Sequence, residues 1–214
     1  MTLQSEIKKM QEEMLPMIPK DVLSLLLSKT KELEESGLTE KALKKGDKIP
    51  NIVLPNATKK EIEINEYLNE GPVVISFYRG GWCPYCNLEL KALQENLKEI
   101  ESAGGKLFAV SPELPDNSIS SVEKHNLKFE VLSDVGNKVA KEFGLVFNLA
   151  EELRPIYKQF NFDIPNNNGD KSWSLPIPAT YIVNKKGIIT KCFVNADYTK
   201  RMEPSDIIDA LKGV

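Results

Sequence analysis

The sequence predicts an α/β fold, with a central sheet flanked by helices and an all-helical extension ahead of it. Three observations support this. Short apolar runs, Val73 to Tyr78, Leu107 to Val110 and Ile177 to Val183, have the length and composition of strands buried on both faces. Helical periodicity alternates with them, most clearly where Leu90, Leu93, Leu97 and Ile100 recur at three- and four-residue steps. A length of 214 residues with 41% hydrophobic content suits one domain with an extension better than two full domains.

Taken in order, the elements read as follows. Leu3, Ile7, Met10 and Met14 form a helical stripe stopped by Pro16 and Pro19. A second helix covers Asp21 to Glu35, ends at Gly37, and is followed by a short one from Thr39 to Lys44. Residues 1–45 thus form an extension, read as a hairpin packed on the core, a homodimer contact or a lid. The core domain covers residues 46–214. Ile52 to Leu54 and Glu61 to Ile64 are short strands, followed by the Val73 strand and a helix running to Ala103, with Gly104-Gly105 as its stop. After the Leu107 strand, Asp116 to His125 is helical, and His125, the lone histidine, is read as capping its carbonyls. Phe129 to Leu132 is a strand, and Ser133 or Asp134 caps a helix ending at Gly144. Ala150 to Phe160 reads as a helix and Asn166 to Asp170 as a turn. Pro178 sits where a buried strand tolerates proline, at its start. A hairpin at Asn184 to Gly187 leads into Ile188 to Val194, and Glu203-Pro204 starts the last helix.

The chemistry concentrates in Phe77-Tyr78-Arg79-Gly80-Gly81-Trp82-Cys83-Pro84-Tyr85-Cys86, where a strand feeds a helix. Residues three apart on a helix are neighbours, so Cys83 and Cys86 can close a disulfide after a small adjustment. The unpaired N–H groups and partial positive charge of a helix N-terminus favour a thiolate, by up to ~2 kcal/mol or about 1.5 pKa units, which brings a thiol near neutrality. Pro84 suits the first helical turn. Arg79 is one of only three arginines among 28 basic residues, and arginine favours fixed, directional contacts. A Cys-x-x-Cys pair is also half of a zinc site, but only Cys192 and His125 remain to complete one.

Trp82 to Cys86 resembles the active-site motif of thioredoxin-fold proteins. The context from Phe77 to Leu90 resembles the peroxiredoxin-like branch related to alkyl hydroperoxide reductase and thiol-specific antioxidant proteins. The resemblance runs from about Gly46 to the C-terminus. It implies a thioredoxin fold with a mixed central sheet, and makes residues 145–176 an insertion that walls the active site. Trp173 is then a candidate substrate-lining residue or a core plug. Pro178 would be the cis proline that faces the cysteines. The two patterns assign the nucleophile differently. The thioredoxin pattern makes Cys83 attack and Cys86 resolve. The peroxiredoxin pattern, aligned through Phe77, Tyr78 and Glu89, puts the peroxidatic cysteine at Cys86, with Arg79, Cys83 and Pro178 in place of its proline, threonine and supporting arginine. The buried acid of thioredoxins falls at Phe77, so no carboxylate near the pair is evident.

The implied activity is reduction of peroxides through a Cys83–Cys86 dithiol/disulfide cycle. An external thioredoxin- or glutathione-type reductant restores the pair, and no metal or organic cofactor is required. Arg79, Trp82, Pro84, Tyr85 and Pro178 are the supporting residues. Two alternatives remain: a thiol-disulfide oxidoreductase acting on a disulfide substrate, and a thiolate metal-binding protein. A net charge of −3 argues against nucleic acid as a partner. The absence of a run of ~20 apolar residues argues against a membrane partner, and a cytoplasmic protein is expected. Cys192 reads as an inert thiol in a strand.

Overall fold

The computed structural model describes residues 2–214. Helix α1 (Leu3–Met14), a 3-10 turn (Leu15–Met17), α2 (Lys20–Glu35) and α3 (Leu38–Lys41) precede β1 (Val53–Pro55), β2 (Glu61–Glu63) and α4 (Ile64–Tyr67). Then come β3 (Val73–Phe77), α5 (Pro84–Glu95), α6 (Leu97–Ser102), β4 (Lys106–Ser111), α7 (Pro115–His125), β5 (Glu130–Ser133) and α8 (Lys138–Glu142). The chain continues through β6 (Val146–Asn148), α9 (Leu153–Gln159), α10 (Ile164–Asn168), β7 (Ser174–Pro176), β8 (Ala179–Val183), β9 (Ile189–Val194) and α11 (Pro204–Lys212).

Five strands form the central sheet in the order β5-β4-β3-β8-β9. β4 runs parallel to β3 and β5 to β4, whereas β8 is antiparallel to β3 and β9 to β8. This is the mixed sheet the resemblance implies. Every residue of β3 and β8 is buried, as their unbroken apolar runs require. The period of two separates the faces. Val73, Ile75 and Phe77 pack with Phe108, Tyr181 and Phe143. Val74 and Tyr78 pack on the other side with Leu90, Leu93, Ile100 and Ile207, which come from α5, α6 and α11.

Helix α1 lies on that second face and adds Leu3 and Ile7 to its core. Its first turn is capped from a distance: Glu203 accepts from the Leu3 and Gln4 amides at 2.9 and 2.8 Å. A carboxylate on orphan N–H groups at a helix N-terminus is favoured by both hydrogen bonding and the dipole. Helix α2 instead meets α9, where Leu26 joins Leu153, Ile156 and Trp173 in a third core.

Several elements differ from the sequence reading. The helix expected to run from the cysteines to Ala103 is two helices, because the Asn96 side chain donates to the Ala92 carbonyl and leaves the helical path there. The turn expected at Asn166 to Asp170 is largely α10, begun by Asp163 accepting from the Asn166 amide and closed by Gly169 at φ 61°. Ile64 opens the short helix α4 rather than ending a strand. Residues 145–176 contain a two-stranded antiparallel ladder, β6 with β7, which the sequence reading missed. Among the described residues no peptide bond is cis, so Pro178 lacks the isomer the resemblance implies. The Ile177 amide bonds to the Leu145 carbonyl at 2.9 Å and carries the chain straight from β7 into β8.

Replacing Glu203 by Ala removes both capping bonds and is expected to cost about 1 kcal/mol. Hydrogen exchange at residues 3–14 should then quicken roughly fivefold. Unchanged exchange there would show that α1 does not depend on this cap.

Candidate active site

The loop between β3 and α5 is held on both sides. The Tyr78 amide continues the β3–β4 ladder to the Val110 carbonyl at 2.9 Å, and the Cys83 amide closes a turn on Gly80 at 3.1 Å. Gly80 has φ 149°, and a β-carbon there would collide with the Trp82 ring; one on Gly81 would collide with the Ser121 hydroxyl. Cys83 is the N-cap of α5, Pro84 opens the helix, and Cys86 lies in the first turn. The Asn87 amide bonds to the Cys83 carbonyl at 3.0 Å. The Asn87 side chain donates to the Gly81 carbonyl at 2.8 Å, and its oxygen lies 3.1 Å from His125 Nε2. His125 therefore braces the loop through Asn87 rather than capping its own helix.

Cys83 and Cys86 are free thiols with no exposed surface. Two buried guanidinium groups reach them. Arg79 donates from Nη2 to Cys83 Sγ at 3.1 Å and from Nη1 to the Tyr157 hydroxyl at 3.0 Å. Its guanidinium stacks over the Tyr198 ring at 4.0 Å, with Trp82 at 5.1 Å on another side. Arg201 donates from Nε to Glu89 at 2.7 Å and lies 3.5 Å from Cys86 Sγ through Nη2. Its remaining donor is held by the Tyr198 and Lys200 carbonyls.

These contacts set the two thiols apart. Burial alone would raise Cys83, but the Cys86 thiol directed at it and the Arg79 and Arg201 charges outweigh burial, holding it well below the ordinary thiol range. Burial, together with donation to Cys83 and the charge there, pushes Cys86 well above that range, against the pull of Arg201 and Arg79. A guanidinium about 4 Å from a thiolate contributes about 4 kcal/mol before desolvation at an effective dielectric of 20. A helix terminus contributes at most ~2 kcal/mol. Beside the Cys86 hydrogen bond, the arginines therefore contribute more to the polarisation than the helix terminus to which the sequence reading mainly assigned it.

Glu89 is fully buried, and burial raises its carboxyl while Arg201 opposes the shift. Glu113 lies behind the loop and accepts from the Gly81 amide at 2.8 Å. Burial pushes its carboxyl up to about 7, the Gly81 bond opposes this, and the Cys83 charge adds to it.

The residues singled out from sequence fall in different places. Arg79, Trp82, Pro84 and Tyr85 surround the cysteine pair. Pro178 is buried just ahead of Ala179, which pairs with Phe77 at the end of β3. Trp173 adopts φ 57° and packs in the third core with Leu149, Leu153 and Leu175, flanked by Arg154 and Lys158. The aromatic wall beside the motif is instead Tyr157 and Phe162, which contact Trp82 at ring separations of 5.8 and 5.1 Å. Sequence reasoning missed Arg201, Glu113, Tyr157 and Tyr198. The one available signal was the scarcity of arginine: two of the three converge here. Among the described residues no three His, Cys, Asp or Glu side chains gather as a metal site would need.

Comparison with known proteins adds family evidence. The model of the AhpC/TSA family matches residues 45–192. A putative peroxiredoxin bcp of Buchnera aphidicola is 33% identical over 103 residues, covering 48% of this chain and 65% of its own length. The chloroplastic peroxiredoxin Q of Populus jackii is 26% identical over 165 residues, covering 77% of this chain and 64% of its own length. The chain thus spans just under two thirds of these relatives. In solved structures the fold recurs in peroxidoxin BcpB of Mycobacterium tuberculosis, with a TM-score of 0.63 at 18% identity over 80% of this chain and 98% of that one. It recurs also in a peroxiredoxin-like protein of Aquifex aeolicus, with a TM-score of 0.61 at 19% identity over 80% of this chain and 88% of that one.

Glu113 gives the fold a pH dependence. Its carboxyl rises from an ordinary 4.5 to about 7 on folding. Between those values the folded protein holds a proton the unfolded chain has lost, so stability falls as pH rises through that window and levels off above it, by about 3 kcal/mol. Glu113→Gln keeps an oxygen for the Gly81 amide and should remove this loss. Urea unfolding should find the variant equal to wild type near pH 4.5 and more stable at pH 8; parallel pH profiles would contradict the assignment.

Proposed function

The chain belongs to the AhpC/TSA family, and from that premise we propose that it is a thiol-dependent peroxidase whose catalytic domain is residues 46–214, with residues 1–45 as an extension. The observation that carries this reading is the Arg79 guanidinium 3.1 Å from Cys83 Sγ in a buried site. Such a donor favours the thiolate and also meets the negative charge that develops on a peroxide oxygen as the O–O bond breaks.

The Cys83 thiolate attacks the terminal oxygen of the peroxide. The O–O bond breaks, the leaving oxygen takes up the proton that Cys83 had released, and Cys83 becomes a sulfenic acid. That step changes the environment of Cys86. Of the causes holding Cys86 high, two come from the charge and hydrogen bond of Cys83. A neutral sulfenic acid removes that charge, leaving Arg201 and Arg79 to oppose burial alone. The second thiol is thus released for attack only after the first has reacted. Its sulfur displaces water from Cys83 to form the disulfide, and two reduced thiols plus one peroxide give a disulfide, an alcohol or water, and a further water. Proximity makes closure fast. An external thioredoxin- or glutathione-type reductant, one dithiol or two monothiols per turnover, restores the pair by exchange.

The same spacing supports a second reading, a thiol-disulfide oxidoreductase. Burial of both sulfurs favours the peroxidase, because a protein disulfide must bring a sulfur into contact with Cys83, whereas a peroxide is small enough to enter. Arg79, which stands where the family's motif has a proline, then supplies a donor to the peroxide oxygen, and Arg201 adds a second guanidinium beside Cys86.

Trp82 adjoins the pair, and its fluorescence should report oxidation. In stopped-flow mixing of reduced protein with hydrogen peroxide, Cys86→Ser should keep the fast first phase and Cys83→Ser should lose it. The opposite pattern would make Cys86 the attacking residue, and oxidation no faster than a free thiol in every form, with brisk insulin disulfide reduction, would favour the oxidoreductase. Arg79→Ala should slow the first phase by at least tenfold, on the order of the loss of one charge-stabilising donor; an unchanged rate would remove Arg79 from the mechanism.

A further inference from the structure

In α2, Val22, Leu23, Leu25, Leu26, Leu27 and Leu33 are apolar, yet only Leu26 is buried. An amphipathic helix ordinarily hides its apolar stripe. This one leaves Leu27 62% exposed, and Met17 in the turn ahead of it is 76% exposed. Among the described residues these are the two most exposed large apolar side chains, and both border a cavity of about 620 Å³ that extends to Arg79 and Tyr157. Single exposed apolar residues are ordinary, whereas adjoining ones rimmed by charge mark a contact surface. The rim here has a pattern. Lys20, Leu27 and Glu34 are spaced seven apart, two helical turns, so each falls within about 20° of one line along α2. Lys20 and Glu34 are exposed, and among the described residues neither has an ion-pair partner within the chain.

We propose that this face of α2 docks on the same face of a second copy of the chain, the two helices running antiparallel about a two-fold axis at Leu27. The choice of occupant rests on charge. The positions seven before and seven after the axis carry opposite signs, so the two-fold rotation sets Lys20 of each copy against Glu34 of the other. A stripe with one sign at both ends would repel its own copy; this one is complementary to itself. The contact buries Leu27 at its centre and Met17 towards its edges. With 16 residues, α2 is about 24 Å long. A contact built on one helix face of that length lies below the standard interface size, so the dimer is reversible and concentration-dependent. Helices α1 and α2 precede the stretch matched by the family model, residues 45–192, so the contact belongs to the extension. It requires no particular reaction at Cys83 and stands apart from the peroxidase reading.

The test is sedimentation velocity of the full chain over a dilution series from micromolar to near-millimolar, kept reduced so that no intermolecular disulfide contributes. The mass should rise from 24.0 kDa towards twice that value. Leu27→Asp puts a charge at the centre of the contact and changes a side chain that is exposed in the single chain. It should stay monomeric throughout, with an unchanged circular dichroism spectrum and melting temperature. Lys20→Glu and Glu34→Lys each set like charges at both ends of the contact and should each weaken dimerisation about tenfold. Mixed in equal amounts they should associate as tightly as wild type, because one copy then carries acids at both positions and the other lysines. A wild type that is monomeric at every concentration would overturn the proposal, and sedimentation of that monomer with phosphatidylcholine vesicles would give the face to a lipid surface instead. A dimer that survives Leu27→Asp, or charge variants that show no loss alone or no recovery on mixing, would overturn it as well.

Discussion

The site depends on how two buried positive charges find their counter-charges. Arg201 is paired with Glu89 at 2.7 Å, both almost wholly enclosed. Arg79 is as deeply buried, yet no carboxylate among the described residues lies within ion-pair distance of it. Its nearest anionic partner is the Cys83 sulfur. A buried charge without a partner is costly, so ionising Cys83 completes an ion pair that Arg79 otherwise lacks. Thiolate formation and the packing of the arginine are therefore one balance. On the mechanism proposed, oxidation of Cys83 breaks it and leaves both guanidinium groups to act on Cys86.

The fold makes this arrangement rigid at one end and open at the other. The end of β3, the two close-packed glycines, Glu113 and the Asn87–His125 pair hold the loop from the sheet side. Tyr157 and Tyr198 hold Arg79 from the opposite side, with Phe162 packed edge-on against Tyr157. That second support comes from the segment between β6 and β7 and from the loop after β9, neither of which belongs to the central sheet. The cavity lies on this side, lined by Tyr157, Phe162 and Tyr198, so the surroundings of Arg79 there come from segments outside the central sheet.

Much of the scaffold was legible locally. The apolar runs of β3, β4 and β8 have no reading but buried strands, and Cys83-Pro84 at the end of one of them marks a helix start. Errors arose where a side chain redirected the backbone, as Asn96 does between α5 and α6 and Asp163 does at the start of α10. Trp173 was equally readable as a substrate wall or a core plug, because an aromatic residue beside prolines satisfies both patterns until its neighbours are known.

The sequence by itself determined the alternation of strands and helices, the placement of two cysteines at a helix N-terminus, and hence thiol chemistry, because periodicity and capping are local properties of the chain. It could not determine which thiol carries the charge. That difference comes from Arg79 turning inward and from Arg201, which meets Glu89 across 112 residues and Cys86 across 115. Contacts of that separation leave no periodic trace. They exist only once β3, α5 and the segment after β9 are brought together, and burial then converts their proximity into a difference in acidity.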